Sequence, residues 1–176
     1  MGASGVSYND LPNRLQRAIE SGDKGAVQAL LGEGAELHVC GSWGALPLMV
    51  AARYNNPTIV EVLLDAGAGI NGADEEGYTA LMEAANCMVP DSLRLLIRRG
   101  AEVNARSGNG STALIYGVFA MGETFSTPTP DDVVAILLSN GADLEARDLE
   151  GKSALDVARE TGNDELVASL LKAGAS

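Results

Sequence analysis

Histidine and cysteine are the residue types best suited to metal binding or nucleophilic chemistry, and this sequence contains few of them. His38 is the sole histidine, and Cys40 and Cys87 are the two cysteines. A structural zinc site needs about four closely spaced ligands, which these three residues do not supply. Two distant cysteines also make no disulfide framework and are typical of a reducing compartment. We therefore expect two free thiols, no metal and no cofactor.

Carboxylates are abundant, but their positions favour a structural role. They cluster at Asp74-Glu75-Glu76, at Asp131-Asp132, and at Asp148 with Glu150. These clusters fall at expected hairpin tips and helix starts, where acids complement the positive end of a helix dipole. The sequence contains no G-x-S-x-G motif, no phosphate-binding glycine loop and no paired nucleophile and base. The sequence thus predicts a protein that is not an enzyme.

The charge balance restricts the kinds of partner. With 24 acidic and 12 basic residues, the net charge is −12, so the surface repels a phosphate backbone and nucleic acid is not expected as a partner. No apolar run approaches the roughly 18 residues of a membrane-spanning helix, and residues 1–10 lack the pattern of a signal peptide. We expect a cytoplasmic protein, or a periplasmic or secreted one if a signal peptide has been removed.

A repeated phrase shows which elements must position these side chains. The stretches "LLGEGA", "LLDAGA", "LIRRGA", "LLSNGA" and "LLKAGA" place a glycine at positions 34, 67, 100, 141 and 174. The spacing is therefore 33 residues, except for one interval of 41. A period of this length is typical of a stacked repeat architecture, and the long interval indicates an insertion of eight residues.

Each copy reads as two short helices joined by a turn. Thr79, Thr112 and Ser153 stand where a side-chain oxygen can cap a helix, and Pro47 suits a first helical position. The first helices are rich in alanine, and the second helices carry leucine or valine at i, i+3 spacing, so each helix has one apolar stripe. The recurring glycine then ends the second helix, because the residue after the helix favours a left-handed backbone.

The motifs "GYTALMEAA" from Gly77, "GSTALIYGV" from Gly110 and "GALPLMVAA" from Gly44 resemble the ankyrin repeat. This resemblance implies an all-α repeat solenoid of stacked helix-turn-helix units with short β-hairpin fingers, and a binding rather than a catalytic function. We expect a single domain over residues 1–176. Its repeats would cover about 10–40, 41–73, 74–106, 107–147 with the insertion at 121–130, and 148–176.

Two unusual segments coincide in neighbouring repeats. Met88-Val89-Pro90 places apolar side chains at a turn, and the insertion Met121–Pro130 falls at the same turn one repeat later. We predict that the inserted loop folds back so that Phe125 lies near Met88 or Val89. The alternative is a mobile loop in which Phe125 has no structural role.

The few aromatic residues indicate where a partner would bind. In the family, the fingers and the first helices form the concave face that usually contacts partners. By register, Trp43 and Tyr78 flank finger glycines, and further aromatics lie on the first helices. Exposed aromatics are typical anchors of protein interfaces. The predicted partner-binding residues are Trp43, Arg53, Tyr54, Glu76, Tyr78, Glu83, Cys87, Tyr116, Phe119 and Phe125. An alternative for Tyr116 and Phe119 is that they fill space beneath the insertion.

These features predict a non-catalytic protein-interaction module that is monomeric on its own and binds another protein with a neutral or basic surface. A more specific alternative is a dedicated inhibitor or immunity protein whose fingers plug the active site of an enzyme. A third is a stability module within an oligomer.

Overall fold

The computed structural model describes residues 11–38, 45–124 and 132–175. Within these ranges lie ten α-helices, arranged as five consecutive pairs. The first helix of each pair is α1 (Leu11–Glu20), α3 (Pro47–Arg53), α5 (Ala80–Asn86), α7 (Ala113–Thr124) or α9 (Ala154–Thr161). The second helix is α2 (Lys24–Gly32), α4 (Pro57–Asp65), α6 (Pro90–Arg98), α8 (Val133–Ser139) or α10 (Asp164–Ala173).

The pairs stack into two layers. Each first helix packs on the next first helix, from α1 to α9, and the second helices α2, α4, α6 and α8 pack in the same order. Ala51, Ala84 and Ala158 are fully buried between first helices, where their small side chains allow a close approach. The core is therefore continuous along the stack, as expected when one pair cannot bury its own apolar stripe.

Helix starts and ends follow the local sequence. Thr79 Oγ1 accepts a hydrogen bond from Met82 N at 3.3 Å, and Ser153 forms a reciprocal capping box with Asp156. Pro47 occupies the first position of α3. At the far ends, Gly67 has a φ of 98°, in the left-handed region that favours glycine. The predicted capping residues are confirmed.

The turn between paired helices also uses the left-handed region. Gly22 and Gly162 have φ values of 74° and 72° there. At the equivalent positions stand Asn55 with φ 48° and Met88 with φ 55°. Asparagine is the non-glycine residue that tolerates this region best, whereas methionine is an unusual choice. Met88 is half-buried against the core, so burial of its side chain offsets part of the backbone strain.

The fingers are less regular than expected. In the described ranges they contain two isolated antiparallel bridges, Ala73 to Thr79 and Arg147 to Ser153, and no regular strand. The predicted β-hairpin fingers are therefore not confirmed. In the finger that holds the second bridge, the carboxylate of Asp148 also accepts hydrogen bonds from two backbone amides of the turn, those of Glu150 and Lys152. A side chain thus helps to close this short turn.

Neighbouring fingers are joined through their backbones. The amide of Gly108 donates to the carbonyl of Glu76 at 2.6 Å, and the amide of Leu149 donates to the carbonyl of Asn109 at 2.8 Å. A Cβ atom at Gly108 would lie 2.8 Å from the Glu76 oxygen, so this approach requires glycine. Within the described residues, the fingers around Glu76, Asn109 and Leu149 are consequently linked along one edge beside the first helices.

The insertion begins as helix rather than as a loop. α7 continues to Thr124, and Met121 is fully buried, so the expected turn at Met121 is wrong. The apolar side chain of Met121 extends the buried stripe of α7, which keeps the chain helical beyond the usual end. Phe125 and the rest of the insertion to Pro130 lie outside the described residues, so the predicted contact of Phe125 with Met88 or Val89 stays a prediction.

Candidate partner-binding surface

The C-terminal halves of α1, α3 and α5 and the finger around Asp74 enclose a groove of about 390 Å³. We call it the Tyr78 groove. Because α1, α3 and α5 stack in register, equivalent positions of these three helices line the groove. It is lined by Gln16, Glu20, Ala45, Met49, Val50, Arg53, Tyr54, Asp74, Tyr78, Glu83 and Asn86.

A buried carboxylate forms part of the groove lining. Glu83 is 4% exposed, and its equivalents in α3 and α9 are the buried Val50 and Val157. Arg53 Nε donates a hydrogen bond to Glu83 Oε1 and forms an ion pair with it. This hydrogen bond raises the pKa of Arg53, although desolvation opposes the effect. Arg53 therefore compensates the charge of Glu83 at a position that two other repeats fill with valine.

Cys87, at the end of α5, contacts the same carboxylate. Its Sγ donates to Glu83 Oε1 at 3.7 Å. Burial and the negative charge of Glu83 raise the pKa of the Cys87 thiol above its ordinary value, while Arg53 opposes the shift. The thiolate is the nucleophilic form of cysteine, so this environment disfavours reactive chemistry at Cys87.

Tyr78 forms the wall between this groove and a second recess. Its ring meets that of Tyr116 edge-on, with centroids 4.8 Å apart and planes at 79°. The Tyr78 hydroxyl donates to the carbonyl of Met82 at 3.3 Å, and the Tyr116 hydroxyl donates to Asn109 Oδ1 at 3.2 Å. Burial, followed by the charge of Glu83, raises the pKa of Tyr78. Both rings are therefore held in place, and the raised pKa keeps the Tyr78 hydroxyl neutral.

The second recess lies between two fingers and has a volume of about 320 Å³. Glu76 and Tyr78 line one side, and Ser107 and Asn109 line the other, with Tyr116 beside them. Tyr116 therefore packs on the finger of the preceding repeat. Tyr78 is common to both cavities, so the two form one continuous surface.

Two further aromatics lie on the first helices with large exposed areas. Tyr54 is 50% exposed at the end of α3, and Phe119 is 49% exposed on α7. Phe119 stands at the position equivalent to Arg53 and Asn86, which line the Tyr78 groove. The structure thus places both side chains on the face that the first helices share.

The structure brings together most of the predicted binding residues that it describes. Arg53, Tyr54, Tyr78 and Glu83 line one groove. Cys87 contacts Glu83, and Glu76 and Tyr116 line the adjoining recess with Tyr78. Phe119 is related to the groove only by its equivalent position in the repeat. Trp43 and Phe125 lie outside the described residues. His38 has an exposed side chain with Nε2 3.5 Å from Glu36 Oε2.

Sequence reasoning missed Gln16, Glu20 and Asp74. Gln16 Nε2 donates to Glu20 Oε1 at 2.7 Å in the groove wall. Glu20 stands at the position of the first repeat that is equivalent to Arg53 in the second, so the repeat period alone could have identified it. The prediction relied on aromatic residues, and α1 contains none.

The sequence was compared with known protein families. A family model of ankyrin repeats, in three copies, matches residues 15–107, just over half of the chain. The chain belongs to the ankyrin-repeat family. Ankyrin repeats generally mediate protein–protein interactions, and the family is typically non-catalytic. A search of curated proteins found no match.

Two observations on this ankyrin-repeat protein concern metal binding and membrane-spanning helices. In the described parts of the chain, no group of three or more His, Cys, Asp or Glu side chains is placed to hold a metal ion. Among the same residues, no helix is long and apolar enough to cross a membrane.

Proposed function

We propose that this ankyrin-repeat protein binds a partner protein through the Tyr78 groove and the adjoining exposed aromatics. The observation that carries this proposal is the combination of a preformed groove with two half-exposed rings, Tyr54 and Phe119, on the same helix layer. This is the side that the family uses for recognition. Binding here has no catalytic step.

The proposal is supported by the cost of leaving large rings exposed. An aromatic anchor that becomes buried in an interface contributes about 2 kcal/mol or more. Tyr78 and Tyr116 are already fixed by their edge-on contact and hydrogen bonds. Less side-chain entropy is then lost when the partner docks.

Charge indicates the kind of partner. Glu75 and Glu76 are exposed at a finger tip, and the whole chain carries −12. Complementary potentials favour a protein with a neutral or basic surface over another acidic protein or a nucleic acid.

The test uses matched variants. Tyr54→Ala/Phe119→Ala removes both exposed rings, and Leu171→Ala removes a residue of similar exposure, 48%, on α10 in the last helix pair. A partner is captured from the native cell extract by the wild type, purified, and titrated calorimetrically against each variant. We expect the double variant to bind at least about 30-fold more weakly and Leu171→Ala to bind within about twofold of the wild type.

Equal binding by the wild type and the double variant would refute the proposal. If the captured partner is an enzyme, its turnover with and without this protein separates a dedicated inhibitor from a scaffold. A scaffold leaves turnover unchanged, whereas an inhibitor that plugs the active site abolishes it.

A further inference from the structure

The Tyr78 groove combines an apolar lining with a negative charge excess. Met49, Val50 and Tyr78 supply apolar surface, whereas three carboxylates, Glu20, Asp74 and Glu83, face a single guanidinium, that of Arg53. The lining therefore favours an occupant that is both long and cationic.

Hydrogen bonding within the groove distinguishes the oxygens of each carboxylate. Gln16 reaches Oε1 of Glu20, and Arg53 and Cys87 both reach Oε1 of Glu83. The amide of Tyr78 donates to Oδ1 of Asp74. In each carboxylate these hydrogen bonds reach only one of the two oxygens. The carboxylate is therefore held in a fixed orientation, and its second oxygen can accept a hydrogen bond from an incoming group.

The pair of Arg53 with Glu83 shows that this lining accommodates a guanidinium. Arg53 remains 58% exposed in its side chain, so it forms part of the open edge rather than filling the cavity. Because Glu83 neutralises Arg53, the negative charge of Glu20 and Asp74 remains for a ligand. Burial is the main cause of the raised pKa values of Tyr78 and Cys87, and the negative charge of Glu83 adds to both shifts.

Aromatic walls add a second attraction for a cation. Tyr54 and Tyr78 both line the groove. A guanidinium near the face of a tyrosine ring gains about 0.5–2 kcal/mol from the ring quadrupole. Arginine is better suited than lysine because its planar group stacks on rings and donates to several carboxylate oxygens at once.

We propose that the Tyr78 groove binds an arginine side chain of the partner protein, held by the carboxylates of Glu20 and Asp74 and by contact with the tyrosine rings. This inference deepens the proposed function and rests on it. It specifies a basic segment of the partner as the part that docks.

The probe is N-acetyl-arginine amide, compared with N-acetyl-citrulline amide, which has the same shape but no charge. Each is titrated into the full-length, ¹⁵N-labelled protein while backbone amide shifts are followed by NMR. We expect the arginine probe to shift amides in α3, in α5 and in the finger at 74–78. Citrulline should bind at least about tenfold more weakly, because its neutral urea group forms no ion pair with a carboxylate.

Variants localise the effect. Glu20→Gln changes a half-buried groove residue that is not in the core, whereas Glu165→Gln makes the same charge change at an exposed position of α10. Glu20→Gln should weaken arginine binding about three- to tenfold, and Glu165→Gln should change it by less than about twofold. Equal shifts with arginine and citrulline, or equal losses in both variants, would overturn the inference.

The captured partner separates failure of this inference from failure of the proposed function. If Tyr54→Ala/Phe119→Ala abolishes partner binding and Glu20→Gln leaves it unchanged, the surface is correct and the arginine site is refuted. If neither variant affects binding, both ideas are refuted. Loss of binding in both, with Glu165→Gln unchanged, supports both.

Discussion

Replacing Arg53 by methionine should destabilise the fold by leaving Glu83 charged and buried without its partner. Removing one member of a fully buried pair costs about 3–5 kcal/mol, whereas an exposed pair contributes about 0–1 kcal/mol. Here the Glu83 side chain is 5% exposed but that of Arg53 is 58% exposed. Discounted for solvent screening, the expected loss is about 2 kcal/mol in the free energy of unfolding.

A double-mutant cycle isolates the pair. Glu83→Val places at this position the residue found at Val50 and Val157, so alone it should change stability by less than about 1 kcal/mol. Combined with Arg53→Met, it should restore stability to within about 1 kcal/mol of the wild type, because no buried charge remains. Urea denaturation followed by circular dichroism at neutral pH measures each free energy of unfolding.

The matched control is Arg159→Met, which breaks the exposed ion pair with Asp156. Its expected cost is below about 0.5 kcal/mol. The reasoning is refuted if Arg53→Met costs no more than this control, or if the cycle gives a coupling energy below about 0.5 kcal/mol.

Three further predictions test the fold and the electrostatics. Gly67→Ala should lower the free energy of unfolding by about 1–2 kcal/mol, because φ is 98° there. The added Cβ would meet no neighbouring atom, so backbone strain is the only cost. A urea titration that showed no loss would contradict this prediction. In a Cys40→Ser background, Cys87 should react with iodoacetamide more slowly than a free cysteine between about pH 7 and 9, since its pKa is raised; equal rates would exclude the shift. The hydrogen bonds from Ser153 lower the pKa of Asp156 below its ordinary 3.8. The stabilisation by the ionised carboxylate is therefore complete above pH 3.8, and it is lost as the pH falls through the lower pKa of the folded state. The stability deficit of Asp156→Asn in thermal melts should therefore shrink in strong acid, and a constant deficit would argue against the capping box.

The local sequence was sufficient to predict the helix pairs and their capping residues. Capping residues such as Thr79 and the glycine that follows each second helix act within a few residues of their own position. Their chemistry therefore appears in a single repeat. The regular period then indicated stacking, and the family match confirmed the resemblance.

Two features of the fold did not follow from these local signals. α7 continues through the expected turn because Met121 is buried by neighbouring elements. The fingers were expected as β-hairpins, but in the described ranges they contain no regular strand, and single backbone bonds such as that from Gly108 to Glu76 link neighbouring fingers. Both outcomes depend on contacts between units.

The sequence by itself determined the repeat, its helix pairs and the face on which aromatics such as Tyr54 lie, because these depend on periodicity along one chain segment. Only the tertiary structure decided that Arg53 meets Glu83 and that Tyr78 meets Tyr116. Each of these pairs joins consecutive repeats. Their contacts depend on the distance and rotation between stacked first helices, which are fixed by the packing of the whole core and not by the residues of either repeat alone.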